Sequence, residues 1–193
     1  MKRVSFVAGL AILVAALETL CGAGTLEGTV PSGNSVVYVD TIAGKTFPEP
    51  SKTALVSQRG LAFVPHLLVV QVGTTVDFQN DDSVQHNVFW PSVGGVKKDA
   101  HNMGTWPRGD KRSYKFDHPG VVPLLCNVHS EMSGYIIVSP TPYFAQADSA
   151  GHFKIDNIPD GKYTVVVWHE GSKPQTKTVE LAGTAKLDVA VGK

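Results

Sequence analysis

The segment CNVHSEM carries a thiol, an imidazole and a thioether three residues apart, at Cys126, His129 and Met132. Thiolate and thioether sulfurs are soft ligands, which favour copper or another soft metal over magnesium or calcium. A cysteine and a histidine separated by two residues can both turn toward one point from a single loop. The spacing therefore predicts that this loop supplies part of a site for a soft metal ion.

A copper site of this kind needs a second imidazole, because its trigonal plane consists of two histidines and one cysteine, with a weak axial methionine. His86 is the best candidate among the seven histidines. It follows the turn-forming residues 80–83 and begins a short apolar strand. Cys126 ends a later strand, and in a β-sandwich these two positions can lie at the same end. The predicted ligands are therefore His86, Cys126, His129 and Met132.

Each of these residues also has an explanation that needs no metal. Cys126 could be a buried inert thiol or could form an intermolecular disulfide, and Met132 could be core filler, as methionine more often is. His66 is interpreted as a structural or surface histidine, with a supporting contact to the ligands as the alternative. The remaining histidines lack partners at ligand spacing: His101, His118, His152 and His169.

The N-terminus is typical of an exported protein. Two basic residues after Met1 precede an apolar stretch over residues 4–17, and small residues follow at 21–24. This order predicts a Sec-type signal peptide over residues 1–23, and hence a periplasmic or otherwise exported mature protein. The apolar stretch is short for a membrane span, so we expect no stable span after cleavage. An uncleaved anchor and a lipoprotein site at Cys21 are the alternatives.

Removal of the signal peptide would remove Cys21 and leave Cys126 as the one remaining cysteine. An unpaired cysteine in an oxidising compartment needs a reason, since it cannot form an internal disulfide. The neighbouring His129 and Met132 favour a metal ligand as that reason.

Composition favours an all-β protein that does not bind nucleic acid. The formal net charge of the 193-residue chain is zero, so there is no basic excess for a nucleic-acid partner. Short apolar runs recur between turn-forming residues, and no long helical period interrupts them. No Ser-His-Asp set, phosphate loop or paired-carboxylate motif is evident, and we therefore do not expect an enzyme.

The pattern divides the mature chain into two units. Residues 25–138 contain the candidate ligands, with a long glycine-rich loop expected over residues 94–108. Residues 139–142 contain two prolines and are predicted to be a stiff linker. Residues 143–193 show alternating strands typical of a small antiparallel β-sandwich. That unit is near the lower size limit for an independent core, so we expect it to lean on the first unit or to borrow a strand from it.

The motif His86-Asn87-Val88, followed later by C-x-x-H-x-x-M, resembles the cupredoxins. The short ligand loop is most similar to amicyanin, and other segments resemble cupredoxin-like proteins of methylamine utilisation. The resemblance covers residues 25–138 and implies a Greek-key β-sandwich. An amine-oxidation chain is suggested by analogy alone.

The resemblance also assigns roles. It implies equatorial ligation by the two histidines and the cysteine, with the methionine axial, and a hydrogen bond from Asn87 across to the residue after the cysteine. That residue is Asn127 here, where serine or threonine is commoner, and Val128 stands where proline is common. These departures affect the hydrogen bonds expected around the ligands and leave the ligand set unchanged.

A four-ligand copper site with no clear open position favours electron transfer over substrate chemistry. The expected protein is a type 1 (blue) copper carrier with one ion that alternates between Cu(I) and Cu(II). Its partners would be transient redox proteins that dock at an apolar patch around His129, formed by Val128, Pro123 and Phe89 or Trp90. The alternatives are a copper-handling protein without electron transfer, and an adhesion or carbohydrate-binding module.

Residues 141–193 resemble a carboxypeptidase regulatory-like, or transthyretin-like, domain, which is non-catalytic. The pattern D-x-x-G-x-F-x-I-x-x-I-P-x-G-x-Y, from Asp148 to Tyr163, carries this resemblance. Part of the usual opening pattern appears instead within residues 28–38. We therefore hypothesise that the N-terminal segment completes the second sandwich.

Overall fold

The computed structural model describes residues 22–31 and 33–190. The predicted signal peptide lies outside these residues, apart from its last two positions. Within the described ranges the chain forms β-strands and one short 3-10 helix, Lys97–Asp99, which confirms the all-β prediction. No helix in the described part is long and apolar enough to cross a membrane.

In chain order the strands are β1 Ala23–Thr29, β2 Ser35–Val39, β3 Ala54–Gln58, β4 Phe63–Val64, β5 Leu67–Gln71, β6 Thr75–Asn80, β7 His86–Trp90, β8 His101–Trp106, β9 Lys111–Lys115, β10 Gly120–Leu125, β11 Ser133–Ser139, β12 Phe144–Gln146, β13 His152–Pro159, β14 Gly161–His169, β15 Gln175–Leu181 and β16 Thr184–Asp188.

The first sandwich packs a five-stranded sheet, β5–β11–β10–β7–β8, against a four-stranded sheet, β4–β3–β6–β9. β5 runs parallel to β11 and β3 parallel to β6, while the other neighbours are antiparallel. Alternation along each strand builds the core. In β6, for example, Val76 and Phe78 are buried, whereas Asp77 and Gln79 are partly exposed. The inward side chains of both sheets form one apolar core.

The two N-terminal strands belong to the second sandwich. β1 is the central strand of the sheet β13–β1–β16, and β2 lies between β12 and β14 in the sheet β12–β2–β14–β15. This pairing confirms the hypothesis that the opening pattern within residues 28–38 completes the second sandwich. The predicted first unit, residues 25–138, needs correction at its start, because β1 and β2 hydrogen-bond to strands that follow residue 139.

The sheet that contains β2 is buried on both faces. Val37 faces the core of the second sandwich. Its neighbour Val36 packs instead with Trp168 of the same sheet and with Leu67 and Ile137 of the first sandwich. We call the cluster of Val36, Leu67, Ile137 and Trp168 the sandwich interface. It joins the two units by direct apolar contact, which agrees with the expectation that the second unit leans on the first.

The segment predicted to be a linker, residues 139–142, is packed against both units. Ser139 ends β11, and both Ser139 and Thr141 are buried. The hydroxyl of Thr141 donates a hydrogen bond of 2.7 Å to the carbonyl oxygen of Val39 in β2. The connection between the sandwiches is therefore fixed by side-chain contacts as well as by its prolines.

Residues 94–108 do not form the expected long loop, because they include the 3-10 helix and β8. The pairing of β8 with β7 contains an irregularity between Asn87 and Phe89. As a result, the buried residues of β8, Met103 and Trp106, are three positions apart. A bulge of this kind breaks the period of two by which strands are recognised in a sequence.

Gly28 provides a test of where β1 lies. A Cβ atom added at Gly28 would stand 1.9 Å from the carbonyl oxygen of Leu187, a backbone atom at the end of β16. We expect Gly28→Ala to lower the free energy of unfolding by about 1–3 kcal/mol, the usual cost of overpacking. Urea denaturation measures this change, with Glu27→Ala at a partly exposed position of β1 as the control. Equal losses in the two variants would contradict the placement of β1 beside β16.

Candidate metal centre

The first sandwich brings three of the four predicted ligands together at one end. His86 begins β7, and Cys126 directly follows β10, the strand beside β7 in the five-stranded sheet. His129 lies in the loop that leads from β10 to β11. One potential ligand atom from each of these residues lies within 4.8 Å of the other two. Two adjacent strands and one loop therefore hold the cluster.

The donor atoms of this cluster suit a copper ion. Nδ1 of His86 lies 3.1 Å from Nδ1 of His129. The Sγ atom of Cys126 accepts the backbone N–H of Asn87 at 3.4 Å. Two imidazole nitrogens and one thiol that share a small volume form the equatorial donor set of a mononuclear copper site. The residues present therefore fit the metal that the sequence predicts.

The ligands differ in their access to solvent. His86 is fully buried and Cys126 is 5% exposed, whereas His129 is partly exposed. The next residue toward Cys126, Val128, is 50% exposed. The cluster thus reaches the surface through His129, beside an exposed apolar side chain. Trp90, by contrast, is buried in the core and lies outside the predicted apolar patch.

Asn87 connects β7 to both of its neighbours near the cluster. Its side-chain oxygen accepts the backbone N–H of Asn127 at 3.2 Å. Its amide nitrogen donates to the side-chain oxygen of Asn102 and to the carbonyl oxygen of Gly104, each at 2.8 Å. The expected hydrogen bond between Asn87 and the residue after Cys126 is therefore present, with Asn127 as the donor, although serine or threonine is absent there.

Met132 lies at the end of the same loop and is buried in the core of the first sandwich. Its backbone N–H donates a hydrogen bond of 3.1 Å to the carbonyl oxygen of His129. This turn fixes Met132 relative to His129. Core packing accounts for the burial of its side chain, so axial ligation remains a prediction.

The sequence analysis did not single out Asp82, although it belongs to the turn before His86. Its Oδ2 lies 2.8 Å from Nε2 of His86. Desolvation raises the pKa of Asp82, but hydrogen bonds from Leu61, Gly60 and His86 outweigh it and keep this pKa below its ordinary value. An acidic residue four positions before a predicted ligand was the available signal.

His66 lies away from the ligand cluster, at the contact between the two sandwiches. Its Nε2 lies 3.0 Å from both carboxylate oxygens of Glu170. This contact supports the structural interpretation of His66. The cluster of potential metal ligands found in the described residues contains none of the other histidines, namely His101, His118, His152 and His169.

The His–Cys–His cluster at one end of an all-β sandwich is similar to a cupredoxin copper site. Residues 51–139 match the family model of copper binding proteins of the plastocyanin/azurin family. This match and the cluster support one mononuclear copper ion as the cofactor. The family match begins after β2, which agrees with the placement of β1 and β2 in the second sandwich.

The chain is similar to characterised members of this group. Amicyanin-alpha of Methylorubrum extorquens is 27% identical over 139 residues, which cover 72% of this chain and 99% of the relative. A purple cupredoxin from Nitrosopumilus maritimus is 30% identical over 45% of this chain and 99% of its own, with a TM-score of 0.40. A reduced amicyanin mutant, with tyrosine in place of one tryptophan, is 22% identical over 47% of this chain and 85% of its own, with a TM-score of 0.42.

A second family model matches the C-terminal half. Residues 121–188 match the model described as domain II of polysaccharide lyase family 4. The predicted carboxypeptidase regulatory-like domain is therefore not confirmed. The match begins within β10 of the first sandwich, so it covers both sides of the sandwich interface.

Proposed function

We propose that this protein is an exported, periplasmic type 1 copper protein that carries one electron at a time between redox partners. The observation that carries the proposal is the convergence of His86, Cys126 and His129 within 4.8 Å, inside a unit that matches a copper-binding family. The basic and apolar N-terminus supports export.

In this proposal His86, Cys126 and His129 would hold the copper ion, and Met132 would be the fourth, weaker ligand. Bound copper supplies a one-electron couple between Cu(I) and Cu(II). The residues of this chain hold the donor atoms in place on paired strands, and Asn87 ties those strands to the ligand loop. A frame that does not rearrange between oxidation states suits rapid electron exchange.

His129 is the proposed route for the electron, because it is the one equatorial ligand that is partly exposed. The proposed docking surface for transient partners consists of the exposed Val128 beside it together with the partly exposed Phe89 and Pro123. Four protein ligands leave no position for a substrate, so we propose a carrier rather than an enzyme.

Met132 can be tested by its replacement with leucine, which conserves volume and should cost less than about 1.5 kcal/mol in stability. We expect Met132→Leu to keep one copper per protein, since three ligands remain, and to shift the reduction potential because the axial ligand tunes it. Voltammetry of the loaded variant measures the shift. An unchanged potential would show that Met132 is core filler.

A copper titration of the purified mature protein tests the proposal as a whole. We expect one equivalent of Cu(II) to produce an intense blue charge-transfer band that disappears on reduction and returns on oxidation. Tight Cu(I) binding without a blue form would favour copper handling. The absence of any metal-dependent change would contradict the copper site and favour the adhesion alternative.

A further inference from the structure

The carboxylate of Asp82 contacts two separate parts of the protein, the proposed ligand His86 and the turn between β3 and β4. One oxygen, Oδ2, contacts Nε2 of His86 at 2.8 Å and accepts the backbone N–H of Leu61 at 3.0 Å. The other, Oδ1, accepts the backbone N–H of Gly60 at 2.7 Å. The carboxylate thus bridges a proposed ligand and the turn between β3 and β4.

On the His86 side, this contact selects one form of the imidazole. When Nε2–H donates to the carboxylate, the proton is absent from Nδ1, which keeps its lone pair. Nδ1 is the atom that faces Nδ1 of His129 at 3.1 Å. Asp82 therefore orients the ring so that the correct nitrogen is free to bind a metal.

On the other side, the carboxylate holds a turn in an uncommon conformation. Gly60 and Leu61 have φ angles of 66° and 57°, in the left-handed region that a leucine rarely adopts. Both of their N–H groups point to Asp82, which stabilises this backbone. The turn presents Leu61 to solvent with 43% of its surface exposed.

We propose that Asp82 is a positioning residue that fixes His86 and couples the copper centre to the β3–β4 turn. The inference rests on the proposed copper site. A negative charge on the far side of the imidazole makes His86 a stronger donor and favours Cu(II) over Cu(I).

The test compares Asp82→Asn with Asp81→Asn. Asparagine has one acceptor oxygen where aspartate has two. It can therefore accept either the N–H of Gly60 or the donors that meet the other oxygen, Leu61 and His86, but not both sets. Asp81 is the matched control, because it loses the same charge but binds Ser57 and Gln79 instead of a ligand. Asp82→Glu keeps both acceptor oxygens and serves as the conservative variant.

Three readouts are expected to change in Asp82→Asn. Cu(II) affinity falls by about 10–100-fold, the usual cost of removing a partner behind a metal ligand. The reduction potential rises, because Cu(II) loses more than Cu(I). The backbone amides of Gly60 and Leu61 exchange their hydrogens faster in both the apo and the Cu(I) form. Asp82→Glu shows the same changes at a smaller size, and Asp81→Asn shows none of them.

Two results would overturn the inference. One is an Asp82→Asn variant that matches Asp81→Asn in affinity and potential. The other is a changed potential with unchanged exchange at Gly60 and Leu61, which would remove the coupling to the turn. If Asp82→Asn fails to fold, Asp82→Glu is compared with the unsubstituted protein. Equal Cu(II) affinity, reduction potential and amide exchange in these two proteins would then overturn the inference. Failure of the unsubstituted protein to bind copper would overturn the proposed function instead, before any variant is compared.

Discussion

Replacing Cys126 with serine is expected to abolish the blue absorption of the copper-loaded protein. The band requires a thiolate bound to Cu(II), and a hydroxyl is a harder and weaker ligand for copper. Copper affinity should fall by more than the roughly 10–100-fold typical of residues behind the ligands. Absorption spectra and a competitive titration with a copper chelator measure the two effects.

The control for this variant is Ser130→Ala, an exposed position in the same loop. Its spectrum and affinity should equal those of the unsubstituted protein. Circular dichroism checks that the serine variant is folded, since the buried thiol contributes to the core as well. A folded Cys126→Ser variant that keeps the blue band would exclude Cys126 as a ligand.

Replacing Trp168 with alanine is expected to have the largest effect on stability. Trp168 is buried in the sandwich interface, where it packs against Tyr135 of β11 with ring centroids 5.1 Å apart. Truncation of a buried tryptophan costs about 3–5 kcal/mol. Chemical denaturation of the copper-loaded protein should show this loss, and the first sandwich should unfold at lower denaturant along with the second one.

Trp168→Phe provides the comparison, because it keeps an aromatic ring in the interface and should cost less. The copper spectrum reports the first sandwich and far-ultraviolet circular dichroism reports both. A Trp168→Ala variant whose copper spectrum survives to the original denaturant concentration would show that the sandwiches are independent. A loss below about 1 kcal/mol would contradict the packing of the interface.

The cluster of His86, Cys126 and His129 could be predicted from the sequence because most of its chemistry is local. Cys126, His129 and Met132 lie in one loop, and their soft donors indicate a metal before any fold is known. His86 required only the assumption that two strand ends meet. Asp82 was missed because its role depends on the direction of a side chain, although its place in the turn was recognised.

The organisation of the two sandwiches could be predicted only in part. The alternation within β13 to β16 indicated a second sandwich, and the pattern within residues 28–38 indicated its missing strands. The order along the chain still suggested that residues 25–138 form one unit. Strand pairing between β1 and β16 joins residues at opposite ends of the chain, and no local pattern specifies such a pairing.

β8 shows why a strand can be hidden in a sequence. Its exposed residues are polar, and it contains Gly104 with a φ angle of 79°. These features are typical of a loop. The strand forms because its pairing with β7 buries Met103 and Trp106, a tertiary contact that overrides the local preference.

Voltammetry of the copper-loaded mature protein tests the central claim most directly. The proposal predicts one reversible wave that transfers a single electron per protein and is lost in Cys126→Ser. Agreement of that wave with the appearance and loss of the blue band would link the electron to the copper site. A copper-loaded protein with no reversible wave, or with Cu(I) that cannot be oxidised without release of the metal, would contradict a role as an electron carrier.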